Sequence, residues 1–202
     1  MKIYETRVAP NPRRVRIFLA EKGIEMAFEE IDLKQAEHHS PDFKKKNPFS
    51  LVPVLEMDNG DYLSETVAIC RYFEEIQPDP VLFGRTPEEK AQVEMWNRRS
   101  ELYFFMPTGM CFQHTTDYFK GLKPQVPEWG KLCRIQAEKY FNFLETHFSE
   151  HQFMVGDYYS IADITTLCAL EFSKVNNLRV QPEQKHLQRW LDQMRSRPSY
   201  SA

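Results

Sequence analysis

Paired cysteines, metal-ligand spacings, long apolar runs and a surplus of one charge are all missing from this chain of 202 residues. The four cysteines, Cys70, Cys111, Cys133 and Cys168, lie far apart with no Cys-x-x-Cys among them, which excludes a thioredoxin-type redox centre made from the chain's own thiols. Each falls in an apolar helical pattern and is expected to be a reduced core residue. The six histidines show neither His-Glu-x-x-His nor a Cys/His ligand spacing, so no metal is expected. No apolar run reaches the roughly 18 residues that span a bilayer, and the N-terminus carries no charged-then-apolar leader pattern. A formal net charge of −3 argues against nucleic acid or an anionic membrane as partner. The longest basic run, Lys44–Lys46, reads as a solvated helix face. A soluble cytoplasmic protein is expected, with room for one large or two small domains.

What is present concentrates between Asn47 and Tyr72, NPFSLVPVLEMDNGDYLSETVAICRY. Pro53 interrupts the strand-like run from Leu51 to Leu55, and a proline that cannot donate to a ladder belongs at a strand's first residue or on an edge. A cis Val52–Pro53 bond there would leave the N–H and C=O of Val52 facing outward, where a peptide could pair with them. Asn59-Gly60 predicts a type I′ hairpin, returning through Tyr62-Leu63. Ser64 then reads as a helix cap with Glu65 in the first turn. The backbone N–H groups of that turn and the Thr66 hydroxyl suit a carboxylate, and the Glu65 carboxylate suits an ammonium. Together these features fit a small zwitterionic peptide bound by strand addition.

The remainder predicts a strand at residues 2–5 and a helix capped by Asn11 with Pro12 at its first position, running to about Lys22. A second strand spans 27–33, and a short helix runs from Ser40 to Lys46. The order β-α-β-α-β-β-α predicts a thioredoxin-like α/β domain over residues 1–77, with 78–85 as linker. Residues 86–202 read as an all-α domain. Its helices start at a Thr86 capping box and run to about His114, then from Glu128 to Phe148 with Trp129, Cys133, Tyr140 and Leu144 on one stripe. A Ser160–Asp163 capping box starts the next, and Pro182–Arg195 the last.

NPFSLVPVLE followed by LSETVAI resembles the glutathione-binding half of cytosolic glutathione transferases, and the likeness extends over nearly the whole chain. It implies a thioredoxin-like domain followed by an all-helical one, glutathione as co-substrate without a metal, a small apolar electrophile as second substrate, and assembly as a homodimer. It assigns Val52, Pro53, Glu65 and Thr66 to glutathione, with His39 preferred over His38 and Lys34 for the glycyl carboxylate. Where serine- and threonine-type relatives carry their hydroxyl, this chain has Ala9, which can donate only through its backbone. Asn11 is then the candidate for stabilising the thiolate, as in nu-class bacterial relatives, although capping the helix would also account for it. Arg13, Tyr4 and Thr6 rank behind it. Tyr103, Met106 and Met110 are candidates for the acceptor site, with core or dimer contact as the alternative for that stretch. Glutathione conjugation is the activity implied; disulfide reduction through glutathione, or binding without catalysis, are the rival readings.

Overall fold

Ile3, Val54 and Leu55 are fully buried, and they anchor a four-stranded sheet in the computed structural model, which describes residues 1–202. The strands are β1 (Lys2–Glu5), β2 (Ala27–Glu30), β3 (Val54–Glu56) and β4 (Tyr62–Ser64), in the order β2-β1-β3-β4. β2 runs parallel to β1, while β3 runs antiparallel to both β1 and β4. Three helices complete this unit: α1 (Pro10–Glu21), α2 (Pro41–Lys46) and α3 (Thr66–Ile76). It comprises Met1–Val81 together with Pro198–Ala202; Leu82–Arg197 form a second unit.

Local chemistry decides where these elements end. β2 stops at Glu30, short of the expected Leu33, because the Asp32 side chain accepts from the N–H groups of Lys34 and Gln35 at 2.8 and 3.1 Å and turns the chain. The hairpin after β3 is not type I′. Gly60 has φ +85° but Asn59 is not in the positive region. Gly60 N–H donates to Met57 O at 3.0 Å and Met57 N–H to Asp61 O at 2.9 Å, a type I turn closed by a glycine bulge. Ser40 caps α2 as expected, accepting from Phe43 N–H at 3.1 Å.

Beyond the end of α1, Lys22 is buried. Its ammonium pairs with Glu74 of α3 at 2.5 Å and donates to the carbonyls of Gln77, Pro78 and Pro80 at 2.8, 2.9 and 2.6 Å. One charge thus holds both helices and the segment that leaves the unit. The last five residues, assigned by sequence to the helical domain, belong to the first unit instead. Arg13 of α1 donates to Tyr200 O at 3.1 Å and stacks over its ring at 4.8 Å, and the Ser199 hydroxyl donates to Glu21.

The second unit is helical: α4 (Pro87–Ser100), a π-turn (Glu101–Phe105), α5 (Met106–Thr115), α6 (Pro127–Glu150), α7 (Ile161–Phe172) and α8 (Lys185–Arg195). A single helix from Thr86 to His114 is broken by Pro107, which lacks the N–H for the Tyr103 carbonyl, and the π-turn absorbs the defect. Thr86 accepts from Glu89 N–H at 3.2 Å, but the Glu89 carboxylate reaches Arg85 N–H at 2.6 Å, so the box closes one residue early. Gly130 lets α6 approach α5: a Cβ there would lie 2.5 Å from the Thr115 methyl. Trp129 is exposed, whereas Cys133, Ala137, Tyr140, Leu144 and Phe148 carry the buried stripe. α8 starts at Lys185, not Pro182, because Glu145 of α6 accepts from His186 and Leu187 N–H at 3.2 and 2.8 Å.

Asp163 joins three parts of this unit. It completes the Ser160 capping box and accepts from Ser160 N–H at 3.1 Å, Met154 N–H at 2.9 Å and the Trp190 indole at 3.1 Å. Burial pushes its carboxyl up to about 6 against these hydrogen bonds. No helix is long and apolar enough to cross a membrane.

Two outcomes follow from the buried charges. Lys22→Met removes the ammonium paired with the buried Glu74 carboxylate and should lower the unfolding free energy by about 3 to 5 kcal/mol in urea titrations. For Asp163 the folded carboxyl, at about 6, lies above the unfolded value of about 3.9, so the native state takes up the proton first. Its contribution therefore rises as pH falls from 7 to 5, by on the order of 1 kcal/mol. Asp163→Asn, which sets an amide N–H against backbone donors, should cost about 1 to 3 kcal/mol at pH 7, and the deficit should widen at pH 5.

Candidate functional site

The candidate ligand-binding segments of the first unit lie at one end of the sheet, opposite the Asn59-Gly60 hairpin. β1 and β2 are parallel, so the loops after Glu5 and after Glu30 emerge together. β3 is antiparallel to β1 with Tyr4 opposite Val54, so residues 52–53 enter the sheet beside the exit of β1. Val54 also pairs with Ser64; continuing that register sets Pro53 beside Glu65 and Val52 beside Thr66. The loop of residues 6–9, the start of α1, Val52–Pro53 and the start of α3 thus meet where a ligand is commonly held, outside the carboxyl ends of parallel strands.

The Val52–Pro53 bond is cis, as expected. β3 is an interior strand, so the free backbone is not a sheet edge: it is the residue just ahead of the ladder, where neither N–H nor C=O of Val52 has a protein partner. Sequence reading missed what fixes this loop. Asn47, 3% exposed, donates through its amide to Leu51 O at 2.9 Å and accepts from Phe49 N–H at 3.0 Å. A buried asparagine ahead of a Pro-Phe-Ser turn was its only signal.

At the start of α3 the expected cap is displaced by one residue. Ser64 is taken up in β4, and Glu65 occupies the N-cap position with φ 70° and ψ 117° and no side-chain cap bond. A non-glycine residue held there costs of order 1 to 3 kcal/mol, a strain that clusters at binding sites. The Glu65 carboxylate is exposed and has no partner in the protein. With no side-chain cap, the first N–H groups of α3 remain available for an anion. The Thr66 hydroxyl is buried and accepts from the Arg14 guanidinium.

α1 also starts earlier than expected. Ala9 is its N-cap and Pro10 its first residue, so Asn11 is not a cap and its amide is not spent on the helix. Ala9 cannot serve as a donor, because its N–H bonds Thr6 O at 2.9 Å. Pro10 and Pro12 have no N–H, which leaves Asn11 as the sole peptide donor among the first three helical positions. Asn11 is exposed, with its Oδ1 held by Arg14 Nη2 at 3.5 Å. The other hydroxyls are committed: Tyr4 donates to Glu56 at 2.5 Å and Thr6 to Ile31 O at 2.6 Å. Burial, then the Glu56 bond, push the Tyr4 phenol up, so it stays protonated. Arg13 is engaged with Tyr200. His39 ends a 3-10 turn, exposed, its ring 3.9 Å from that of His38, and no hydrogen bond links it to the other candidates.

In the second unit Tyr103 and Met106 are exposed and Met110 half-buried. Phe104 beside them is core and stacks on Tyr140 at 5.0 Å, and the half-buried Phe112 meets Phe119 and Phe172 at 5.2 and 5.6 Å. All four cysteines are buried and unpaired with one another.

Residues 1–75 match the family described as "Glutathione S-transferase, N-terminal domain", and residues 131–198 that described as "Glutathione S-transferase, C-terminal domain". The chain is 38% identical to glutathione S-transferase 2 of Saccharomyces cerevisiae over 98% of this chain and 87% of that protein. The crystal structure of Gtt2 from Saccharomyces cerevisiae superposes with a TM-score of 0.95 at 37% identity, covering 100% and 99% of the two chains. A glutathione S-transferase domain-containing protein of Marinobacter aquaeolei VT8 gives 0.93 at 36% identity, covering 98% and 99%.

If Glu65 is held against its backbone preference, Glu65→Gly should raise the unfolding free energy by about 1 kcal/mol. A melting temperature equal to or below that of the wild type would mean that the residue stores no strain.

Proposed function

The chain belongs to the glutathione S-transferase family, and on that premise we propose that it joins the thiolate of glutathione to small apolar electrophiles. One observation carries the reading: an unpartnered backbone at Val52 beside two open helix N-termini. The tripeptide lies along Val52, exchanging main-chain hydrogen bonds with its N–H and C=O. Its glutamyl carboxylate meets the first N–H groups of α3 and the Thr66 hydroxyl, and its ammonium meets Glu65. His39 serves the glycyl carboxylate.

The thiol comes to the start of α1. There the Asn11 peptide N–H and side-chain amide donate to sulfur, and the dipole favours the anion. The proton leaves to solvent, the thiolate forms a C–S bond with the electrophile, and the electrophile's leaving group departs. Tyr103, Met106 and Met110 are the second unit's candidates for binding the electrophile. The protein supplies position and electrostatics and forms no covalent bond of its own. A cytoplasmic location and assembly as a two-fold dimer belong to the same proposal, and the exposed Phe49, Leu132 and Ile135 support the dimer.

A second reading, reduction of small disulfides, is favoured by the burial of all four cysteines, which leaves glutathione as the only accessible thiol. Turnover of a small disulfide without conjugation of chlorodinitrobenzene would select it.

Glu65→Gln should weaken glutathione binding about tenfold or more in calorimetry, as expected for a lost charge-assisted bond; equal affinity would remove Glu65 from the site. Asn11→Ala should raise the pKa of the bound thiol, read from thiolate absorbance, by about half a unit to one unit.

A further inference from the structure

An amide and a hydroxyl can each donate or accept, so the Asn11 and Thr66 side chains add no preference for anions to that of the helix starts until something sets their polarity. A guanidinium can only donate. That of Arg14 is buried, 4% exposed, and its Nη2 group, which carries two N–H bonds, donates to Thr66 Oγ1 and to Asn11 Oδ1. The consequence is fixed for both partners. With Oδ1 turned toward Arg14, the Nδ2 amide group of the exposed Asn11 must face away. With Oγ1 accepting from Arg14, the Thr66 O–H must donate elsewhere.

We propose that Arg14 is a positioning residue that makes Asn11 and Thr66 donors, one for the thiolate and one for the carboxylate of bound glutathione. This rests on the functional reading above. The guanidinium acts through its neighbours: it withdraws electron density from the amide oxygen and so sharpens the Nδ2 donor, as a charge-assisted bond in a chain of bonds does. A tie between two helix starts would give Arg14 a purely structural role, and the two roles differ in what they change. Loss of a tie lowers stability. Loss of polarity changes the ionisation of a bound thiol and the affinity for an anionic group.

The test uses Arg14→Gln, whose amide can accept as well as donate, and Arg14→Lys, which restores a donor-only cation. Arg14→Lys also serves where Arg14→Gln does not fold, because its thiol pKa should stay below that of Asn11→Ala, and Asn11→Asp checks the Asn11 end by putting an anion where the donor was. Thiolate absorbance of bound glutathione and calorimetry with S-methylglutathione, which has no thiol, read the two ends separately. Arg14→Gln should raise the thiol pKa by about half a unit to one unit and weaken S-methylglutathione about tenfold. Arg14→Lys should recover part of both, and Asn11→Asp should raise the pKa by about one unit or more. If Asn11→Ala leaves the pKa unchanged, the thiolate reading fails. If Asn11→Ala raises it while Arg14→Gln changes neither readout, or while Arg14→Lys gives a thiol pKa as high as that of Asn11→Ala, the role of Arg14 alone is overturned.

Discussion

The placement of β3 between β1 and β4, antiparallel to both, is the constraint on which the site depends. A strand entering the sheet beside the exit of β1 brings the chain ahead of it to the carboxyl end of the parallel pair. The same strand's return through β4 delivers α3 to that end too. No single segment of the site has a ligand's full complement of partners. Val52 offers backbone, α3 offers N–H groups, Glu65 a carboxylate and α1 an amide. The pairing of three residues of β3 with each neighbour makes these four contributions simultaneous.

Buried charge then holds the helices in position. Glu5 pairs with Arg16 beneath α1, and Arg16 also donates to Arg7 O at 2.7 Å, fixing the loop between β1 and α1. Lys22 does the equivalent beyond the other end of that helix with Glu74 and three carbonyls. Such pairs add little net stability over apolar packing, but removing one partner is costly, which makes the geometry they specify hard to relax. The start of α1 gains from this rigidity. With proline at its first and third positions, it presents one peptide N–H, and a donor that is alone has to be well placed.

Much of this was legible in the residues. The β-α-β-α-β-β-α order, the proline ahead of β3 and the Ser160–Asp163 box depend on short-range chemistry that a sequence displays directly. The misplaced features share one cause: tertiary contacts overruled local preference. Asn11 resembles a cap, but the Ala9–Thr6 turn starts the helix two residues sooner. Ser64 resembles a cap, but pairing with Val54 draws it into β4 and leaves Glu65 in a strained backbone. Asn59-Gly60 suits a type I′ turn, yet the wider loop formed. Arg14 and Asn47 carry no motif; their roles come from partners 52 residues away in one case and from a loop closed by a single amide in the other.

Amide hydrogen exchange at Val52, followed by NMR with and without glutathione, tests the placement of the ligand most directly. The N–H there has no acceptor in the protein, so it should exchange quickly in the free chain and slow markedly when the tripeptide pairs with it. Unchanged exchange at Val52 under saturating glutathione would contradict the account, whatever the enzyme's turnover.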